Sequence, residues 1–305
     1  MQKLLSICIP TFNRAELLNL NLSKLQIEIQ NLENYIDIYI SDNNSDDNTA
    51  EIVKSYIESG LKINFTKHGE NIGTELNFLS LFGKANSKYF WLFSDDDFLL
   101  PFSLKNIIEV LLLKDFGVVY INQQWYDSEI PNSSELPLST IEFKDPIEFI
   151  KKINYWVTFI SGNIINKSII ENKINPSLYN GTMLNYLNWH FLAIFSDRPN
   201  VVICNSYLAC KSGNTGGYRL FEVFGKNFNM IMDDMIALNK IDKRVKDIIN
   251  NHLLKDFFPN FIRIRSKMFL NENPITVLRP IFWKYPKYWV NIFIPHLKSK
   301  WKELV

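Results

Sequence analysis

Three consecutive carboxylates, Asp95-Asp96-Asp97, follow directly on the apolar run Tyr89-Phe90-Trp91-Leu92-Phe93. Adjacent acids repel one another, and a cation placed among them relieves the repulsion. A hard divalent ion suits that need. Mg²⁺ and Mn²⁺ take oxygen ligands, keep several waters, and accept one or two protein carboxylates together with phosphate oxygens. The chemistry implied is Mn²⁺ or Mg²⁺ held among these acids and bridging them to a diphosphate. The triplet also reads as an acidic turn capping a helix that starts near Pro101. A second polar cluster, Asp42-Asn43-Asn44-Ser45-Asp46-Asp47, follows the run Asp37 to Ser41. Asp42 is placed to accept hydrogen bonds from the imide of a pyrimidine or the amines of another base, although such a stretch alone equally forms an Asx-rich turn.

Chemistry at these positions requires elements that bring them to one place. Leu4 to Ile9 reads as a buried strand closed by Pro10, and Leu17, Leu18, Leu22, Leu25 and Ile29 recur at helical spacing behind it. Asp37 to Ser41 is a second strand, Asp47 to Ile57 a helix, Ile63 to Thr66 a third strand, Leu76 to Ala85 a helix and Tyr89 to Phe93 a fourth strand. Alternation at this spacing predicts βαβ units in an α/β layer structure. Ligands of such sheets bind beyond the carboxyl ends of the strands. The residues just past the four strands are all polar: Thr11 to Arg14, Asp42 to Asp47, His68 to Asn71, and Asp95 to Asp97. Farther on, Gly117 to Asn122 reads as a fifth strand, Asp145 to Lys152 as a helix, Val157 to Ile165 as a strand broken at Gly162, Thr182 to Phe195 as a long helix and Val201 to Cys204 as a strand. Pro131 to Pro137 and Ser212 to Gly217 read as loops, and the pattern is helical from Phe221 onward.

Taken in order, Ile9-Pro10-Thr11-Phe12-Asn13-Arg14, Ser41 to Thr49, Glu70-Asn71-Ile72-Gly73 with Asn77, and Phe93 to Asp97 with Pro101 resemble the family 2 glycosyltransferases. The resemblance is strong over about residues 3 to 115. It extends more loosely to about 220, where Ser161-Gly162-Asn163 and Gly213-Asn214-Thr215 look like those of the abequosyltransferase-like branch. It implies the GT-A fold: a single mostly parallel, Rossmann-like sheet flanked by helices, with a catalytic domain over 1–220 and a helical C-terminal extension over 221–305. It also implies transfer of a sugar from a nucleotide diphosphate-sugar to an acceptor hydroxyl, with inversion, in synthesis of a bacterial surface polysaccharide. By the same resemblance Pro10, Thr11, Asn13 and Arg14 line the nucleotide pocket, Asp42 and Asn44 face the base, and Asn71 and Gly73 shape its floor. Asp95 and Asp96 then lie against the nucleotide, with Asp95 and Asp97 as metal ligands. The family's acidic pair at the start of a later helix has no counterpart between Asn180 and Asp197, which leaves His190 and Asp197 as candidate bases. A sugar-phosphate nucleotidyltransferase and a non-catalytic nucleotide-sugar-binding module remain alternatives. The first would carry a Gly-rich basic loop after the first strand, which Pro10 to Asn13 is not.

Composition narrows the setting. The cysteines, Cys8, Cys204 and Cys210, show no zinc-ligand spacing and fit a reducing compartment. No signal peptide is evident, and no window reaches the roughly 20 apolar residues of a spanning helix. Residues 251–305 hold ten Lys and Arg against three acids, while the first 250 hold 23 against 29. A basic tail interleaved with aromatics, without a nucleic-acid fold signature, predicts peripheral contact with anionic membrane rather than nucleic acid. The expected location is cytoplasmic, on the inner face of the membrane, where a lipid-linked saccharide acceptor would be met.

Overall fold

The computed structural model describes residues 2–131, 136–212, 219–264 and 272–297. Ser133, Ser134, the loop Gly213 to Gly217, and Arg265, Lys267, Lys298, Lys300, Trp301 and Lys302 lie outside them. The chain divides into two compact units. The first comprises 1–146, 157–180 and 185–214, and the second 147–156, 181–184 and 215–305. The second thus takes in 147–156, 181–184 and 215–220, which the expected cut at 220 gives to the catalytic domain.

The first unit is built on β1 (Leu5–Thr11), α1 (Ala15–Glu28), β2 (Ile36–Asp42), α2 (Thr49–Glu58), β3 (Ile63–Lys67), α3 (Thr74–Lys84), β4 (Tyr89–Leu92), β5 (Asp97–Leu99), α4 (Ser103–Leu113), β6 (Val118–Tyr126) and β7 (Thr140–Phe143). After α5 (Pro146–Ile153) come β8 (Asn163–Asn166), α6 (Lys167–Ile170), α7 (Leu187–Ile194) and β9 (Asn200–Lys211). Among the described residues the strands form one sheet in the order β3-β2-β1-β4-β8-β6-β9-β5, with β7 also paired to β9. Strands β1 to β4 are mutually parallel, as the βαβ pattern requires. Beyond β4 the sheet is mixed, because β8 runs antiparallel to both β4 and β6, and β5 and β7 run antiparallel to β9.

Period-two alternation sorts the core onto two faces. Ile7, Ile9, Ile38, Ile40, Tyr89, Trp91 and Phe93 pack with Leu18, Leu22 and Leu25 of α1 and Leu104, Ile107 and Leu111 of α4. On the other face Phe90 meets Phe82 of α3, which stacks on Trp189 of α7 with ring centroids 4.3 Å apart. Pro10 sits inside the central strand β1 without costing a ladder bond. Cys8 O accepts from Phe93 N at 2.9 Å on the β4 side, and β4 has ended by the time Pro10 would need an N–H facing that way.

Two predicted elements are shorter than expected. The helix predicted over 182–195 covers only Leu187–Ile194, since Gly181 and Met183 hold φ at 89° and 62°. The strand-like stretch 157–165 is mostly 3₁₀ turn and becomes a strand only at Asn163. Gly162 has no room for a Cβ there, which would come 2.6 Å from the Phe159 ring.

In the second unit, α8 (Phe228–Ala237), α9 (Arg244–His252), α10 (Phe258–Ile264), α11 (Pro274–Phe282) and α12 (Pro286–Tyr288) pack around aromatic side chains. Phe258, Phe282 and Tyr288 are fully buried, and Phe257 contacts Phe224, Phe258 and Phe261. Asn229 and Asn250 exchange amide hydrogen bonds at 2.8 and 3.1 Å inside this core. Much of the tail's aromatic content is therefore structural. Trp283, Val290, Ile294 and Leu297 are exposed, and no acid occurs between Glu272 and Glu303.

Candidate active site

Parallel order β3-β2-β1-β4 puts four polar loops side by side at the carboxyl edge, and hydrogen bonds stitch them together. Asn43 N donates to Thr11 O at 2.9 Å, and His68 N to Asp42 O at 2.9 Å. Asn43 also donates through Nδ2 to Asn71 Oδ1 and accepts from Ile72 N, tying the second loop to the third. Asn13, in the left-handed region at φ 51°, accepts from Asp46 N at 2.8 Å, while its own N–H donates to Ser45 Oγ. Asn44 and Gly73 also hold positive φ, at 67° and 83°. Pro10, Thr11, Asn13, Arg14, Asp42, Asn44, Asn71 and Gly73 thus lie on the β1 end and the three loops that these bonds join.

Asp42 is sealed in the β2 terminus. Its Oδ1 accepts from Ser45 N and Oγ at 2.9 and 2.5 Å, while Oδ2 is buried without a hydrogen-bond partner. The ammonium of Lys67 stands 3.9 Å from Oδ2 and donates to Ser45 O. A buried carboxylate oxygen left open is costly and fits a site that awaits a donor. Lys67 escapes sequence reasoning, since it looks like an ordinary strand-end residue until the fold turns it toward Asp42.

The acidic triplet divides. Asp95 and Asp96 occupy the turn after β4, and Arg14 Nη1 lies 3.0 Å from Asp95 Oδ1 and 2.9 Å from Asp96 Oδ2. Thr11 Oγ1 donates to Asp95 Oδ2 at 2.8 Å, and Ser94 Oγ to Asp96 Oδ1 at 2.5 Å. Burial raises the Asp95 carboxyl to about 6, with Arg14 opposing and Asp96 adding to the rise. Asp97 begins β5, opposite Cys210 of β9, with Ser161 and Cys210 near enough to its carboxyl to oppose the effect of burial. Burial, reinforced by Asp96, pushes its carboxyl to about 7. The carboxylates that converge on the Arg14 guanidinium are Asp95 and Asp96, while Asp97 lies at the start of β5. Among the described residues no group of three or more His, Cys, Asp or Glu is arranged to hold a metal. The oxygen pair on Arg14 nonetheless fits a hard ion that keeps water and phosphate as its other ligands.

Neither expected base reaches this edge. His190 is 1 % exposed, its ring Nδ1 donates to Val157 O at 2.8 Å, and burial lowers it to about 4. It is a neutral core histidine. Asp197 precedes the start of β9, whereas Asp97 pairs near the end of that strand at Cys210. Ten residues of strand put roughly 30 Å between the two ends. Asp197 is exposed there, with Arg198 3.7 Å away. Ser161 belongs to the stretch singled out by resemblance: its Oγ accepts from Ser94 N at 2.9 Å and its carbonyl from the Trp91 indole at 2.8 Å, fixing the turn from beneath. Cys210 carried no signal in the sequence, because its position opposite Asp97 depends on a strand pairing that crosses the sheet.

Comparison with known proteins adds three findings. The chain is 38 % identical over 105 residues to abequosyltransferase RfbV of Salmonella typhimurium, a stretch covering 33 % of this chain and 30 % of that protein, so it spans under a third of the curated relative. The fold matches S. aureus TarS (residues 1–349) in complex with UDP at a TM-score of 0.65 and 14 % identity, over 94 % of this chain and 81 % of that one. It matches mannosyltransferase PcManGT from Pyrobaculum calidifontis, in complex with GDP-Man and Mn²⁺, at 0.55 and 14 % identity, over 95 % and 84 %. The profile described as "Glycosyl transferase family 2" matches residues 6–172, more than half of the chain and all four loops of the carboxyl edge. With motifs, sheet edge and profile coinciding on the same residues, this chain belongs to glycosyl transferase family 2.

Proposed function

We propose that the chain transfers a sugar from a nucleotide diphosphate-sugar to an acceptor hydroxyl, with inversion at the anomeric carbon. The observation that carries the reading is the buried Oδ2 of Asp42, without a hydrogen-bond partner beside Lys67 at the strand end where the loops meet. Family membership supports it, as do the UDP bound in TarS and the GDP-Man bound in PcManGT. Thr11, Asn13 and Arg14 would flank the nucleotide, with Asn71 and Gly73 along its base. Asp95 and Asp96 would hold Mn²⁺ or Mg²⁺, which when bound neutralises charge on a departing diphosphate. In the transfer, a bond forms from the acceptor oxygen to the anomeric carbon as the bond to the diphosphate oxygen breaks. The nucleoside diphosphate leaves, and the hydroxyl proton passes to a base or water.

The likeness to an abequosyltransferase supports a role in bacterial surface polysaccharide synthesis on a lipid-linked saccharide. Among the described residues no helix is long and apolar enough to cross a membrane. Peripheral contact with the anionic inner face of the cytoplasmic membrane is proposed instead, through the exposed apolar and basic side chains of the C-terminal helices.

A thermal-shift panel of UDP, GDP, CDP and dTDP with Mn²⁺ tests the donor, followed by hydrolysis of the matching nucleotide sugar. We expect slow, Mn²⁺-stimulated hydrolysis. An Asp42→Asn variant should bind the nucleotide on the order of ten- to a hundredfold more weakly, the worth of one charged hydrogen bond. Binding without hydrolysis would mark a non-catalytic module, and no binding by any of the four would refute the proposal.

A further inference from the structure

Arg14 already fills the place a divalent ion would need. All four oxygens of Asp95 and Asp96 accept from the protein itself: two from Arg14 Nη1, one from Thr11 Oγ1 and one from Ser94 Oγ. Thr11 and Ser94 are short side chains fixed at strand ends. Arg14 is a long one, 36 % exposed, from the loop that leads into α1. Of the four contacts, the two to the guanidinium are therefore the exchangeable ones. They also carry the charge, since the guanidinium offsets the repulsion between two adjacent buried carboxylates.

We propose that Arg14 is a resident counter-cation, so that a divalent ion and a diphosphate must bind together. A diphosphate offers the guanidinium another doubly acceptor-bearing anion. Once the guanidinium turns to it, Asp95 Oδ1 and Asp96 Oδ2 are released to the ion. In the free protein the ion has to compete with a tethered cation and binds weakly. With nucleotide present it does not compete, and by linkage the nucleotide gains the same factor from the ion. The inference rests on the metal and diphosphate reading above and adds which residue couples the two.

Mn²⁺ binding followed by the electron paramagnetic resonance signal of the free ion tests this without turnover. Wild type, Arg14→Gln and Arg14→Lys are titrated with Mn²⁺ alone, then with Mn²⁺ and the nucleoside diphosphate chosen from the panel, at protein in excess over nucleotide. The expected result is that Arg14→Gln binds Mn²⁺ alone about tenfold more tightly than wild type, within the usual range of coupling factors. Added nucleotide should then improve its Mn²⁺ affinity less than it improves that of wild type. Arg14→Lys, which restores a tethered charge, should return Mn²⁺ binding toward the wild-type value and so excludes a general effect of substitution. If Arg14→Gln, folded by its melting curve, binds Mn²⁺ alone no more tightly while wild type binds it with nucleotide, the counter-cation role is overturned and the metal site stands. If neither protein takes up Mn²⁺ under any condition, the metal reading itself fails and this inference with it.

Discussion

Replacing Asp97 with Asn should change the stability of the protein in a way that depends on pH. In the folded chain the Asp97 carboxyl is raised from 3.8 to about 7, chiefly by burial and then by Asp96. A carboxyl held above its unfolded value binds its proton more tightly in the native state. Native stability is therefore unaffected by this group below about pH 4 and is lost progressively as pH rises toward 7, where the buried side chain must ionise. At about 1.4 kcal/mol per pH unit, the full cost is on the order of 4 kcal/mol, of which about 3 kcal/mol develops between pH 5 and pH 8. Asn cannot ionise, so the variant escapes that cost. It brings an amide needing an acceptor, a loss of about 1 kcal/mol that does not vary with pH. Urea unfolding in EDTA-containing buffer at pH 5 and pH 8 measures the difference directly. The variant should gain about 3 kcal/mol on wild type between the two conditions and be the more stable protein at pH 8. A variant-minus-wild-type difference constant within about 0.5 kcal/mol across that range would mean Asp97 is already ionised in the native state at pH 5, and the burial reasoning would be wrong.

Two other perturbations address the frame and the tail. A Cβ on Gly117 would lie 2.3 Å from the Ala193 carbonyl oxygen and 3.0 Å from Asn200 Oδ1, so Gly117→Ala should cost about 1–3 kcal/mol in a urea melt; an unchanged midpoint would show that the strand end yields freely. Flotation on vesicles containing phosphatidylglycerol should fall when Trp283, Val290 and Ile294 are all changed to Ser, a set that spares the buried Phe282, Tyr288 and Ile292. Equal flotation of the triple variant and wild type would defeat the membrane proposal.

The parallel half of the sheet is legible because each strand there is a short apolar or alternating run followed by a polar stretch, signals that are local to the chain. The same locality made Asp42 and the aspartate triplet visible. What could not be read depends on contacts distant in sequence. Asp97-Phe98-Leu99 is too short to announce itself as a strand and becomes one only by pairing with Leu208 to Cys210, so the split of the triplet between Arg14 and Cys210 was hidden. His190 stood out as a titratable group on a helix, yet a largely apolar helix gives no indication of whether its histidine faces a cleft or the Val157 carbonyl. Asp197 was misplaced for a simpler reason: a helix predicted to run to Phe195 says nothing about which edge of the sheet its end approaches. In the tail the composition suggested a surface, and burial of Phe258, Phe282 and Tyr288 assigns much of it to the interior.

The link between β4 and β5 carries one more consequence. Only residues 93–96 separate the two strands, yet β8, β6 and β9 lie between them in the sheet order. Four strand spacings in a flat sheet amount to about 19 Å, while five residue steps span at most about 17 Å fully stretched, and this link is folded into a turn. The sheet must therefore curl until its far margin comes round to the tip of β4. Asp95 and Asp96 sit on the clasp of that curl, which closes only after β9 has docked. The carboxylates, held by Thr11, Arg14 and Ser94, therefore sit where the two ends of one curled sheet meet.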